Sequence, residues 1–123
     1  MKKLILVVAA LLAPSAVMAS GQSGEVGYAK GSLGYDALIA GENEKALEQI
    51  LASDVKMTDP AKLINLGTVY ARLGRMGDAA KAFQAAVDCK NHGDLELADG
   101  SIMNSREAAY LSLEKVQSRT AMR

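Results

Sequence analysis

The most constraining feature of this sequence is a pair of apolar helical patterns, joined by a glycine turn, between residues 59 and 88. Asp59 and Pro60 predict the start of the first helix, because Asp caps free backbone amides and Pro fits the first helical position. Gly74 predicts its end, and a second helix is predicted from Ala79 to Asp88. The two stripes bury best against each other, so we expect a helical hairpin. The apolar stripes are Leu63, Leu66, Tyr70 and Leu73 on the first helix and Ala79, Ala82, Phe83 and Ala86 on the second.

The pattern recurs 33 residues earlier in a weaker form, where Leu33-Gly34 aligns with Leu66-Gly67. Apolar residues at helical spacings predict one helix from Tyr28 to Ala40 and another from Asn43 to Ser53. The chain therefore contains a divergent copy of the hairpin before the stronger one.

The stronger copy resembles the tetratricopeptide repeat, an antiparallel helix pair of about 34 residues. The chain departs from the family at Leu63, where Trp is usual, and at Asn91, where a closing Pro would fall. The resemblance implies an all-α fold, a short α-solenoid of two antiparallel helical hairpins at about 27–59 and 60–92. The motif residues that carry the resemblance are Leu63, Leu66, Gly67, Tyr70, Ala79, Phe83 and Ala86.

The resemblance also implies where a partner would bind, because a tetratricopeptide array binds through a concave surface lined by the first helix of each pair. Asn65 matches a frequent asparagine of the family that hydrogen-bonds a peptide backbone, and Arg72 suits a carboxylate. Solvated helix surface is the alternative, since two repeats make a short groove. The candidate partner-binding residues are Ile64, Asn65, Thr68 and Arg72, with Ala71 beside them.

Residues 89–102 are predicted to form a loop, because a polar stretch without helical period carries two glycines. The alternation from Asp94 to Leu97 leaves open a short extended segment in this loop. A C-terminal capping helix is predicted over 103–120, with Asn104 and Glu107 at the spacing of a capping box. Its predicted apolar stripe is Ala109, Tyr110, Leu113 and Val116.

Residues 1–19 have the features of a secretory signal peptide. Two lysines precede an unbroken apolar run from Leu4 to Leu12, and Val17-Met18-Ala19 supplies small residues before a cleavage site. An uncleaved membrane anchor is the alternative, which Pro14 and the short length disfavour. We expect a Gly/Ser-rich flexible lead-in at 20–26 and one helical domain at 27–123. These features predict an exported bacterial protein, in the periplasm or outside the cell, without stable membrane insertion after cleavage.

The composition argues against nucleic-acid binding and cofactor chemistry. The chain has 14 basic and 14 acidic side chains, no Trp and one Phe, so a basic face with stacking aromatics is missing. Cys89 is the single cysteine, either a small buried side chain or an exposed thiol, and with His92 it makes half a metal site. The acidic residues from Asp94 to Asp99 lack the spacing of a calcium loop. We expect no catalytic residue, no metal and no cofactor.

Together these patterns predict a non-catalytic protein–protein interaction scaffold or adaptor of the bacterial cell envelope, which binds a peptide or a partner helix in a groove. A self-associating structural protein is the alternative, because two repeats leave open ends on which a second copy can stack. A small hydrolase or metal enzyme built on Cys89 and His92 is a remote alternative.

Overall fold

The computed structural model describes residues 4–5 and 27–122. The predicted signal peptide lies outside the described residues except for Leu4–Ile5, and the predicted lead-in at 20–26 lies outside them entirely. The described part is mostly helical, as expected. The elements are β1 (Leu4–Ile5), α1 (Tyr35–Ile39), α2 (Asn43–Ala52), α3 (Pro60–Arg72), α4 (Met76–Asp88), β2 (Asp94–Glu96), β3 (Ile102–Asn104) and α5 (Ser105–Ala121).

Helix α3 lies at the centre of the fold, because α2, α4 and α5 all pack against it. Its predicted start is confirmed: Pro60 is the first helical residue, and the Asp59 carboxylate accepts a hydrogen bond from the Lys62 backbone N–H at 3.1 Å. Eleven of its 13 residues are buried. Because α3 has no broad solvated face, most of its side chains contact other parts of the protein and not solvent.

The contact between α3 and α4 depends on one small residue and one aromatic ring. A Cβ atom added to Gly67 would lie 2.7 Å from two carbons of the Phe83 ring, closer than such atoms approach each other. The ring therefore lies directly on the α3 backbone, which only glycine permits. Phe83 is fully buried, and burying such a side chain contributes about 1.5–3 kcal/mol.

The helix predicted from Tyr28 to Ala40 is wrong in its first half, since α1 spans only Tyr35–Ile39. Turns occupy the preceding residues, and Gly27, Gly31 and Gly34 have φ angles of 87°, 86° and 63°. A right-handed helix needs negative φ, and the glycines give this segment easy access to the left-handed region. The second predicted helix of this copy is confirmed as α2, Asn43–Ala52.

The prediction of an all-α fold is wrong for the segment after α4, because the predicted loop at 89–102 contains β2 and runs into β3. The two strands form an antiparallel hairpin in which Leu95 pairs with Met103, and β1 pairs in parallel with β2. Leu95 is fully buried in the same apolar cluster as Leu33 and Ile64. The short extended segment that the alternation left open is therefore what the chain forms, and it packs into the core.

The predicted C-terminal helix is α5, which starts at residue 105 instead of 103 because β3 occupies the two preceding positions. The Asn104 side chain caps it by accepting a hydrogen bond from the Arg106 backbone N–H at 3.0 Å. Helix α5 packs against α4 and α3 through Ala108, Ala109, Leu113 and Val116. In the described ranges, 4–5 and 27–122, no helix is long and apolar enough to cross a membrane.

Candidate functional site

The four candidate partner-binding residues all lie on α3, and their side chains meet other parts of this chain. Ile64, Asn65 and Thr68 are at most 2 % exposed, and Arg72 is half-buried. Ala71, expected beside them, is buried as well. The hairpin residue Leu95, the segment before α1 and helix α5 contribute to the cluster that contains Ile64. A partner would therefore have to displace these elements to reach the α3 face.

Asn65 makes a backbone contact of the kind expected for a bound peptide, but within its own chain. Its side-chain amide donates a hydrogen bond to the Leu33 carbonyl oxygen at 3.0 Å. The Asn65 Oδ1 atom is buried and has no hydrogen-bond partner among the described residues. The Thr68 hydroxyl donates to the Ile64 carbonyl oxygen, one helical turn back, at 2.9 Å. These two polar side chains therefore direct their donors to carbonyl groups of their own chain instead of presenting them to solvent.

Arg72 reaches from the end of α3 to the first helical hairpin. Its Nη1 atom donates to the Leu38 carbonyl oxygen at 2.6 Å and to Asn43 Oδ1 at 3.4 Å. The Leu38 carbonyl oxygen also accepts from the Gly41 N–H at 3.2 Å, so Arg72 adds a second, charged donor at the end of α1. Burial lowers the pKa of the Arg72 guanidinium. Arg72 therefore links α3 to the junction between α1 and α2.

A second polar group at the start of α3 was not predicted from the sequence. Lys62 is buried, and its Nζ atom donates to the Val55 carbonyl oxygen at 2.7 Å and to the Ser53 carbonyl oxygen at 3.2 Å. The Tyr28 hydroxyl donates to Asp59 Oδ2 at 2.8 Å. Burial, followed by the hydrogen bond to Asp59 and its charge, raises the pKa of Tyr28 well above its usual range. The sequence did contain a signal for this polar group, because Lys62 is a lone cation on the otherwise apolar side of a helix.

His92, Ser105 and Arg106 form a cluster where the hairpin meets α5. His92 Nδ1 lies 3.1 Å from Ser105 Oγ, and Arg106 Nε donates to His92 Nε2 at 2.9 Å. Because Nε2 accepts from Arg106, the neutral imidazole carries its proton on Nδ1 and donates it to the Ser105 oxygen. That oxygen also accepts from the Gly93 N–H at 3.2 Å. Ser105 therefore faces donors and not a base, an arrangement that anchors the hairpin without activating a nucleophile.

Cys89 and His92, the two residues of the half metal site noted in the sequence, have different hydrogen-bond partners. The Cys89 thiol donates to the Thr58 carbonyl oxygen at 3.2 Å and is half-buried. Burial, and then the negative charges of Asp59 and Asp88, raises the pKa of the thiol. A raised pKa leaves less thiolate, the form that attacks electrophiles and binds metals. Within the part of the chain that the structure describes, no three His, Cys, Asp or Glu side chains are grouped to hold a metal ion.

The outer face of α5 carries two exposed large apolar side chains. Tyr110 is 56 % exposed and Leu111 is 39 % exposed. Tyr110 was predicted to belong to the buried stripe, which is wrong. It follows the buried Ala108 by two residues, which turns it about 200° around the helix. Glu107 and Glu114 are also exposed and lie on the helix surface between the two apolar side chains.

This outer face, consisting of Glu107, Tyr110, Leu111 and Glu114, combines apolar area with two carboxylates, and the exposed Arg106 and Lys115 lie one helical turn from Tyr110 and Leu111. Tyr is enriched at protein interfaces because its ring buries a large area at a small entropic cost. Among the surfaces described, this face offers an aromatic anchor that is already exposed to solvent.

The chain matches no protein-family model, no curated protein and no solved structure.

Proposed function

We propose that this protein is a non-catalytic binding scaffold of the tetratricopeptide type, which acts in the bacterial cell envelope. The repeat assignment is supported by the seven motif residues and by the close contact of Gly67 with the Phe83 ring. The envelope assignment is supported by the signal-peptide features of residues 1–19, with the periplasm as the first location and the extracellular space as the second.

The observation that carries the binding proposal is the exposure of Tyr110 and Leu111 on the outer face of α5. The expected groove residues of α3 are engaged inside the chain, so we assign the partner to the outer face instead. An exposed aromatic residue with charged neighbours of both signs suits a partner protein that offers an apolar pocket with a polar rim. A helix of 17 residues is long enough to serve as one side of such an interface.

The proposal is tested by site-specific photo-crosslinking in envelope extract. A photoreactive amino acid is placed at position 110 and, as a matched control on an exposed helical position, at position 81 of α4. We expect one reproducible foreign protein at 110 and none at 81, identified by mass spectrometry. Leu111→Glu should reduce that adduct, whereas the exposed Gln84→Glu should leave it unchanged. The same proteins at both positions, or none at 110, would contradict the proposal.

Self-association is a second candidate, which the exposed side chains of Leu51 and Met57 favour. Both residues lie at the end of the first helical hairpin, far from α5 in the sequence. Light scattering across a range of protein concentrations tests it. A mass that rises with concentration and that Leu51→Lys abolishes would identify a homo-oligomer, whereas a constant monomer mass would remove this candidate.

A further inference from the structure

The outer edge of β2 carries backbone groups that the hairpin itself does not use. The Ser105 N–H donates to the Gly93 carbonyl oxygen at 2.8 Å, and the Leu97 N–H donates to the Ser101 carbonyl oxygen at 2.8 Å. In an antiparallel pair, hydrogen-bonded positions alternate with non-bonded ones. Leu95 is therefore bonded to Met103, and the N–H and C=O groups of the two residues beside it point away from β3. Those residues are Asp94 and Glu96.

An extended segment already pairs with this edge in the full chain. Strand β1 runs parallel to β2, with Leu4 opposite Leu95 and Ile5 opposite Glu96. In a parallel pair, the residue opposite Leu95 bonds to the groups on either side of Leu95, which are those that point outward here. The edge is thus complementary to an extended backbone, and Leu4–Ile5 shows the direction and register that it accepts.

Removal of the predicted signal peptide would take β1 away and leave the edge open. Among the residues that the structure describes, those of the two apolar clusters lie after residue 27, so this part of the core belongs to the processed chain. Leu95 remains anchored in the core, so β2 cannot move freely into another pairing. A fixed strand with unpaired backbone groups is a template for a further strand.

We propose that the processed protein binds an extended segment of a partner protein as a parallel strand on the outer edge of β2. This inference rests on the export that is part of the proposed function, and it concerns a surface separate from the outer face of α5. The exposed Asp94 carboxylate and the half-exposed Glu96 favour a segment with basic side chains beside its apolar residues. A second copy is a poorer occupant, because two β2 strands related by a twofold axis would pair antiparallel.

The probe is a capped peptide with the sequence of residues 2–7, Lys-Lys-Leu-Ile-Leu-Val. It is titrated into the chain 20–123 and into the full chain 1–123, and backbone amide shifts are followed by NMR. We expect the amides of Asp94 and Glu96 to shift in the shorter chain. The full chain should bind at least about tenfold more weakly, since its own β1 occupies the edge. The Leu4 N–H of the peptide faces β2, so a peptide methylated on the Leu4 nitrogen should bind neither chain.

Two proline variants of the chain 20–123 separate strand pairing from apolar adhesion. Glu96→Pro removes the outward N–H of β2 that the register assigns to the Leu4 carbonyl oxygen, and Ile102→Pro removes an outward N–H from the opposite edge, on β3. Neither N–H belongs to the bonded pairs of the hairpin, and melting curves check that both variants stay folded. We expect Glu96→Pro to weaken binding about tenfold and Ile102→Pro to leave it unchanged. Equal effects of the two, no peptide binding, or a β2-dependent dimer would overturn the inference.

The two proposals fail in different ways. Position 110 lies on α5, so the crosslinking result does not depend on the β2 edge. If the partner is crosslinked at 110 and the peptide does not bind, the edge proposal alone is wrong. If the peptide binds with the expected variant pattern and no envelope protein is crosslinked, the edge proposal stands and the proposed α5 interface is wrong.

Discussion

The two copies of the repeated pattern, 27–59 and 60–92, share two aligned glycines but use one pair of them differently. Gly41 and Gly74 both have left-handed φ angles, 75° and 79°, and both follow the end of a helix. Gly67 lies in the middle of the 13-residue α3, whereas its counterpart Gly34 has a φ of 63° and precedes the five-residue α1. The first copy therefore keeps the turn and loses most of one helix.

The difference follows from what lies around each glycine. The Phe83 ring covers Gly67, while the aligned position in the first copy is Ile50, whose side chain approaches Gly34. Two more glycines with positive φ, Gly27 and Gly31, precede Gly34 and make a helix costly there, at about 1 kcal/mol for each glycine. A shared Leu-Gly pair thus permits either backbone conformation, and the neighbouring side chains select one.

The largest expected effect comes from removing the ring that distinguishes the second copy. Phe83→Ala should lower the free energy of unfolding by about 3–5 kcal/mol, because it leaves a cavity in the main core cluster. The exposed Gln84→Ala is the control and should change it by less than about 0.5 kcal/mol. Urea denaturation measures both. A Phe83→Ala variant as stable as the wild type would show that the second copy does not depend on this contact.

A methyl group on the glycine under that ring should have the next largest effect. Gly67→Ala should cost about 1–3 kcal/mol, because the added Cβ meets the Phe83 ring. Gly77→Ala is the matched control in α4, where an added Cβ meets nothing within 4 Å and the helix gains up to about 1 kcal/mol. Thermal melting should therefore move in opposite directions. Two variants of equal stability would contradict the packing argument.

The link between the copies can be broken at Arg72. Arg72→Met should lower the free energy of unfolding by about 1.5–3 kcal/mol, because it removes the charged hydrogen bond to the Leu38 carbonyl oxygen. We expect faster amide hydrogen exchange in α1, with little change in α4. Arg75→Met, which removes an exposed ion pair with Asp78, is the control and should leave exchange in α1 unchanged. Equal loss of protection in α1 and α4 would mean that Arg72 stabilises the whole fold and not the junction.

The smallest effect at neutral pH is expected at Tyr28, but it depends on pH. Folding raises the pKa of Tyr28, so its contribution is fully present below the unfolded value of about 10 and is lost as pH rises further. Tyr28→Phe should cost about 1 kcal/mol at pH 7 and should lose less stability than the wild type above pH ~10. Denaturation at several pH values measures this. Parallel pH profiles for the two proteins would contradict the role of the Tyr28–Asp59 hydrogen bond.

Local signals in the sequence predicted most of the helices. Asp59 and Pro60 mark the start of α3 and Asn104 marks the cap of α5, because capping depends on a few neighbouring residues. The hairpin of β2 and β3 was harder to predict. Its strands have three residues each, too few for a periodic pattern to exclude a loop.

The candidate site was less predictable than the fold. Ile64, Asn65 and Thr68 were assigned to a binding surface by their positions on a helix, and a position does not reveal which other segment covers it. The exposure of Tyr110 was obscured because it directly follows two buried residues, Ala108 and Ala109, in the sequence. A one-residue step turns a helical side chain by about 100°, so neighbours in sequence can face opposite directions.

The mostly helical character and the boundaries of α3 follow from the spacing of apolar residues and from the capping residues in the sequence. The covering of α3 by α5, by the hairpin and by the segment before α1 arises from packing between distant parts of the chain. The same packing brings Asn65 and Arg72 to carbonyl groups of their own chain. These outcomes join residues about 30 positions apart, where closure of the chain brings together groups that no local pattern connects.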